Sequence, residues 1–365
     1  MIPSSRPFIG FEEFYNLANV LISGQLGAGF FVDRLEQKSK EILGVSHAIA
    51  VSNGTTALHL ALIASGVGFG DEVITTPFTF IATANAILMT GATPVFVDIS
   101  PDDYCIDPDC INRAVTQKTK AVLTVNLYGG VCDYDNIRTH TPDNVKIIED
   151  AAQSFGAKYK GLNSGTLGDI ATFSLYATKN VTSGEGGIVT TNDPFVADKI
   201  RRLRHHGMEK NKPYVYKELG YNYRISELNA SVGVAQMNRL DAITSKRRAI
   251  AARYVQGVAG IIGVSPYLEK DECYYTYHQF PIRIGANAKT NRDDLQSKLR
   301  QKGIQTGIYY PSTLIKSDHI SKNSVMHPCP NAEIATQELL CLPIYPGLAE
   351  DDQWYIIDVI NQVLR

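Results

Sequence analysis

From residue 48 onward, short β-branched runs alternate with stretches whose apolar residues recur every three or four positions. Strands joined by crossover helices around a largely parallel sheet produce this pattern. The runs predict seven strands, at 48–52, 73–75, 94–98, 121–127, 145–149, 170–176 and 187–191. Helices are predicted at 55–65, 79–90, 108–118 and 134–139, each stopped or flanked by Gly, Pro or Asn, as helix ends usually are. The last three strands follow one another through Gly-rich connections, 161–168 and 184–187, that are too short for crossover helices. At least one antiparallel pair is expected there.

Beyond residue 192 the pattern turns helical. Leu228, Val232, Val234, Met237, Leu240 and Ile243 recur at mixed three- and four-residue spacings, which predicts one long helix from Ile225 to about Gly257 linking two domains. The run Lys246-Arg247-Arg248 is expected on its solvated face. The remaining residues mix a strand at 275–283 with helices at 290–302, 331–339 and 350–364, which suits a small α+β domain. The expected division is a large domain with an N-terminal arm at 1–240 and a small C-terminal domain at 241–365. No internal repeat or low-complexity segment is evident.

A chain of 365 residues is long enough for one big core and a smaller second one. Its 35 Lys+Arg against 37 Asp+Glu leave a net charge of −2, which argues against a basic nucleic-acid surface. The start lacks a basic segment followed by an apolar one, and no run of about 18 apolar residues follows. A cytoplasmic location and no membrane contact are therefore expected. The six cysteines form no C-x-x-C pair and read as reduced and mostly structural. No His, Cys, Asp or Glu set has metal-ligand spacing, so no metal is expected.

Three segments carry candidate chemistry. Ser52-Asn53-Gly54-Thr55-Thr56 ends a strand and opens a helix, where unpaired N–H groups and the positive end of the dipole suit a phosphate; a plain N-cap is the simpler reading. Lys146-Ile147-Ile148-Glu149-Asp150 runs an apolar strand into two acids, and the carboxyl end of such a strand is where α/β proteins bind ligands. A cap on the following turn would also explain Asp150. Lys179 leaves a later strand and is either a surface lysine or a third group in the same crevice. Taken in chain order, anion cradle, acid and amine fit pyridoxal 5'-phosphate (PLP), which needs all three. Phe78-Thr79-Phe80 could add an aromatic ring to sandwich the pyridine, or could be core.

The segments Ser52–Leu58, Gly70–Ile74, Gly91–Asp98, Glu149–Ser154, Ala177–Asn180, Gly184–Gly187 and Gly220–Arg224 occur in order. With them the chain, from about residue 10 to 365, resembles the DegT/DnrJ/StrS family of PLP-dependent nucleotide-sugar aminotransferases. The resemblance implies PLP-dependent transferase fold type I, an α/β large domain with a seven-stranded, mostly parallel sheet between helices. It implies that Lys179 is the lysine that carries the cofactor and later moves the proton, and that Asp150 pairs with the pyridine nitrogen. Gln153 matches the residue near the ring hydroxyl, Phe80 the aromatic that stacks on the ring, and Gly54, Thr55 and Ser174 the phosphate ligands. Asn222 matches a residue that reaches the cofactor of the neighbouring subunit, which implies a homodimer with shared active sites.

The implied reaction takes an amino group from glutamate, through the pyridoxamine form (PMP), to a nucleotide-linked keto-sugar for surface-polysaccharide or glycan biosynthesis. The loop after Lys179 resembles that of C-4 aminotransferases more than that of C-3 enzymes, which remain the alternative. Glu185, His278 and Tyr309 are the candidates for sugar contacts. Tyr309 stands where many relatives have histidine, and His278 could equally pack in the core. His205 and His206 suit a structural or interface role. A dehydratase of the same fold would replace the lysine by histidine, and Lys179 opposes that reading. A non-catalytic regulatory protein of the same fold is the alternative from another class.

Overall fold

The computed structural model of the chain describes residues 1–210 and 212–365. In chain order the strands are β1 (His47–Val51), β2 (Glu72–Thr75), β3 (Thr93–Phe96), β4 (Thr119–Val125), β5 (Lys146–Asp150), β6 (Lys158–Tyr159), β7 (Leu162–Asn163), β8 (Ile170–Ser174) and β9 (Gly187–Thr191). They continue with β10 (Val264–Pro266), β11 (Cys273–Tyr274), β12 (Phe280–Ile284), β13 (Val325–Met326) and β14 (Leu339–Leu342). The central sheet has the order β1-β9-β8-β5-β4-β2-β3-β13. It therefore holds eight strands, not seven. The eighth, β13, has two residues and pairs parallel with β3, too short a run to register as a hydrophobic pattern.

β9 runs antiparallel to both β1 and β8, as the short 184–187 connection requires. The β5-to-β8 connection behaves differently. It carries the small β6–β7 hairpin in place of a helix, yet β5 and β8 are parallel neighbours.

Helices α1 (Phe11–Ser23), α2 (Phe30–Leu43), α3 (Gly54–Ala64), α4 (Ile81–Met89), α5 (Pro108–Ala114), α6 (Tyr134–Thr139), α7 (Pro194–Arg204), α8 (Glu227–Asn238) and α9 (Leu240–Val258) complete the larger part of the chain. Side chains alternate across the strands. Ile49, Val51, Leu123 and Ile148 face α3 and α7, while Ala48, Ala50, Val122 and Ile147 face the opposite layers. The expected long helix is broken into α8 and α9 at Arg239, whose guanidinium pairs with the buried Glu13 and donates to the Phe8 carbonyl.

A second sheet, β10-β12-β14, packs under α9 and the helix Glu350–Leu364. The basic run on α9 is not a solvated face. Lys246 is exposed, but Arg247 is buried, and Arg248 pairs with Glu269 and lies 4.0 Å from the Tyr274 ring. The strand expected at 275–283 is likewise interrupted, with residues 275–279 between β11 and β12 belonging to no ladder.

Candidate active site

The carboxyl ends of β5 and β8, the start of α3 and the start of α4 converge on a cavity of about 730 Å³. Gly54, Thr55, Phe80, Asp150, Gln153, Ser174, Lys179, Glu185, His278 and Tyr309 all line it. Asn222 does not; it is exposed on the segment after α7, in an isolated bridge with His205. His205 Nδ1 accepts from Arg224 Nη1 at 2.7 Å, away from the cavity.

The two acids that end β5 part company because successive strand residues face opposite ways. Glu149 is sealed on one side, where its carboxylate accepts from the N–H groups of Gly165 (2.9 Å), Leu167 (2.6 Å) and Gly168 (2.8 Å). Asp150 opens onto the cavity. Its Oδ2 accepts from Thr83 Oγ1 at 2.8 Å and its Oδ1 from the Ala152 N–H at 3.2 Å. Burial pushes the Asp150 carboxyl above the usual range, while the Thr83 and Ala152 donors and the Lys179 charge pull it down. Lys179 is lowered to about 8, by burial first and with the Asp150 carboxylate opposing. Such an amine has a sizeable neutral fraction near neutral pH, which nucleophilic and general-base work requires.

Asn53 caps α3 by accepting from the Thr56 N–H at 2.9 Å, and the N–H groups of Gly54 and Thr55 have no acceptor among the described residues. A Cβ on Gly54 would stand 2.9 Å from the Ser174 Cβ, so a bare backbone is needed where the first turn of α3 meets the end of β8. The result is a concave cradle of free amides and a serine hydroxyl. Phe80 is 57% exposed on the same cavity, with a ring face available for stacking. Amine, acid, anion cradle and aromatic face together fit PLP, and these residues would hold it.

Sequence reasoning missed several contributors. Thr83 lies three residues after Phe80, one turn along α4, so helical spacing could have found it. The Gln153 amide oxygen accepts from the Tyr128 N–H at 2.8 Å, and its amide nitrogen lies 3.5 Å from the Tyr310 hydroxyl. Ser4 and Ser5 also reach the cavity, because the N-terminal segment pairs with residues 303–305 and 344. No local pattern marks that pairing.

The model of the DegT/DnrJ/EryC1/StrS aminotransferase family matches residues 7–361. The chain is 41% identical over 356 residues to a "Pleiotropic regulatory protein" of Geobacillus stearothermophilus, covering 96% of this chain and 93% of the relative. It is 38% identical over 353 residues to the GDP-perosamine synthase of Caulobacter vibrioides, covering 92% and 91%. Among solved structures, DesV of S. venezuelae in complex with a ketimine intermediate superposes with a TM-score of 0.91 at 35% identity, covering 96% and 94% of the two chains. A sugar aminotransferase of Streptococcus pneumoniae in its PLP form superposes with a TM-score of 0.92 at 28% identity, covering the whole of both chains.

Proposed function

The chain belongs to the DegT/DnrJ/EryC1/StrS aminotransferase family, and from that premise we propose that it transfers an amino group from glutamate to C-4 of a nucleotide-linked keto-hexose. The observation that carries the reading is the meeting of Lys179 and Asp150 in one cavity with the amide cradle of α3. PLP, when bound, supplies an electron sink that stabilises the carbanion formed as a proton leaves the carbon under reaction. Lys179 is the base that takes this proton and returns it at Nζ. Asp150 holds a proton on the ring nitrogen, and Thr83 and the Ala152 N–H orient its carboxylate for the task. The Gly54 and Thr55 amides and Ser174 take the phosphate, Gln153 the ring hydroxyl and Phe80 the ring face.

The exposed Asn222 suits a homodimer in which each subunit completes its partner's site. Glu185, His278 and Tyr309 are the sugar-facing candidates. The product is an amino sugar for surface polysaccharide or glycan, made in the cytoplasm; a GDP-perosamine synthase among the relatives supports this class. One relative's name favours a regulatory reading, but a cavity that retains the lysine, the acid and the cradle supports catalysis.

The deciding experiment incubates the protein with PLP, glutamate and a panel of UDP-, GDP- and dTDP-linked keto-sugars, and locates the new amine by NMR. An amine at C-4 is expected. An amine at C-3 overturns the position, and no product from any sugar overturns the enzymatic reading in favour of the regulatory one.

A further inference from the structure

The gap between β11 and β12 is held residue by residue. The Thr276 N–H donates to the Gly129 carbonyl at 2.9 Å and the Gln279 N–H to the Tyr128 carbonyl at 3.2 Å. From α9, Arg247 Nη1 donates to the carbonyls of Tyr277 (3.2 Å), His278 (3.1 Å) and Ile344 (3.0 Å). Arg247 is 3% exposed, so an interior cation fastens this wall of the cavity through carbonyl oxygens. On the other side Asn180, next to Lys179, donates from Nδ2 to the Thr276 carbonyl at 3.0 Å.

That last bond settles the state of a histidine. The Thr276 carbonyl can only accept, so the amide nitrogen of Asn180 must face it, and Oδ1 is left 3.3 Å from His278 Nδ1. Oδ1 also only accepts, so Nδ1 must carry the hydrogen. A neutral ring then bears its lone pair at Nε2. Burial, with the charges of Lys179 and Arg247, holds His278 well below the ordinary histidine range and so neutral. Nε2 has no partner among the described residues, yet it is not sealed as His59 Nε2 is, and the ring lines the cavity. An acceptor without a hydrogen discriminates: it can pair with a hydroxyl but not with a carboxylate.

We propose that His278 is a specificity residue whose tautomer is fixed by Asn180, and that its Nε2 accepts a hydrogen bond from a hydroxyl of the keto-sugar. Glutamate offers carboxylates, which are acceptors, and an amine that the transfer itself consumes; the sugar is the substrate rich in hydroxyl donors. This rests on the aminotransferase reading above and adds which group recognises the sugar.

Two measurements on the cofactor-loaded protein test it. With 15N-labelled histidine, His278 should appear as the neutral Nδ1–H tautomer, and its Nε2 resonance should move when a keto-sugar nucleotide is added and not when glutamate is added. A protonated Nε2, or a response to glutamate alone, overturns the proposal. In kinetics, His278→Phe should lower kcat/KM for the keto-sugar roughly 10- to 100-fold, the range of one lost hydrogen bond to a buried acceptor, mainly through KM. His278→Gln, whose amide oxygen still accepts, should recover part of that loss. Wild-type kinetics in His278→Phe, or equal losses in the glutamate and sugar half-reactions, sink the histidine's role alone. A wild-type protein that converts none of the sugars sinks the aminotransferase reading instead.

Discussion

Glu149 and Asp150 are neighbours on one strand, both buried and both carboxylates, yet they serve different ends. Glu149 is wrapped by the loop at 164–168, which spends three backbone N–H groups on it and leaves no route to the cavity. Asp150 receives only two donors, and its remaining acceptor capacity opens beside Lys179. A buried charge surrounded by donors is architecture, because every partner it can have is already present. A buried charge with capacity left over is available for chemistry.

Variants should separate the two sides of β5. The largest effect is expected from Lys179→Ala, which removes the only cationic side chain on the described lining of the cavity and with it the proposed base; turnover should disappear. A variant that still transaminates at the wild-type rate would remove Lys179 from the mechanism. Asp150→Asn comes next, with both half-reactions slowed by roughly 10²- to 10³-fold, the magnitude of losing one preorganised electrostatic contact. Thermal stability of this variant should hold or rise, since burial disfavours the Asp150 charge, as it does that of Glu149, but only one backbone N–H and one hydroxyl depend on Asp150 as acceptor. Glu149→Gln should show the reverse. Its kinetics per folded molecule should stay close to wild type, while stability falls by about 1–3 kcal/mol because a buried N–H loses its acceptor. Denaturant unfolding beside half-reaction rates checks both, and a kinetic defect in Glu149→Gln larger than in Asp150→Asn would invert the comparison.

The same contrast explains how far the sequence could be read. Strand and turn chemistry marked the end of β5, the cap at Asn53 and the departure of Lys179 from β8, because each depends on residues adjacent in the chain. The family resemblance then supplied roles that spacing alone left open. What escaped was built by distant pairings. β13 is a two-residue strand recruited from residue 325, Ser4 and Ser5 arrive through an N-terminal segment bound to residues 303–305, and Arg247 sits in a basic run of ordinary surface appearance. Its burial depends on carbonyls at 277, 278 and 344, which no local pattern announces. The split of α8 from α9 falls at Arg239, which likewise makes a long-range pairing, with Glu13.

The smallest expected effect concerns the acid and the amine together. With Lys179 lowered to about 8, the neutral amine fraction of the cofactor-free protein grows about tenfold per pH unit below that value and saturates above it. Capture of PLP, followed by absorbance, should trace this curve and level off above about pH 8. The Asp150 carboxylate opposes burial and raises Lys179, so Asp150→Asn should move the inflection to lower pH. The sign carries over to stability. Between about 8 and the ordinary lysine value the unfolded chain binds one proton more than the folded chain at this position, so the Lys179 contribution makes folding more favourable as pH rises through that window. Lys179→Met should abolish that rise, which a comparison of Tm at pH 8 and pH 10 in the two cofactor-free proteins would detect. An inflection near the ordinary lysine value, unmoved by Asp150→Asn, would mean that the amine and the acid do not share one environment, and the distinction between Asp150 and its structural neighbour would lose its basis.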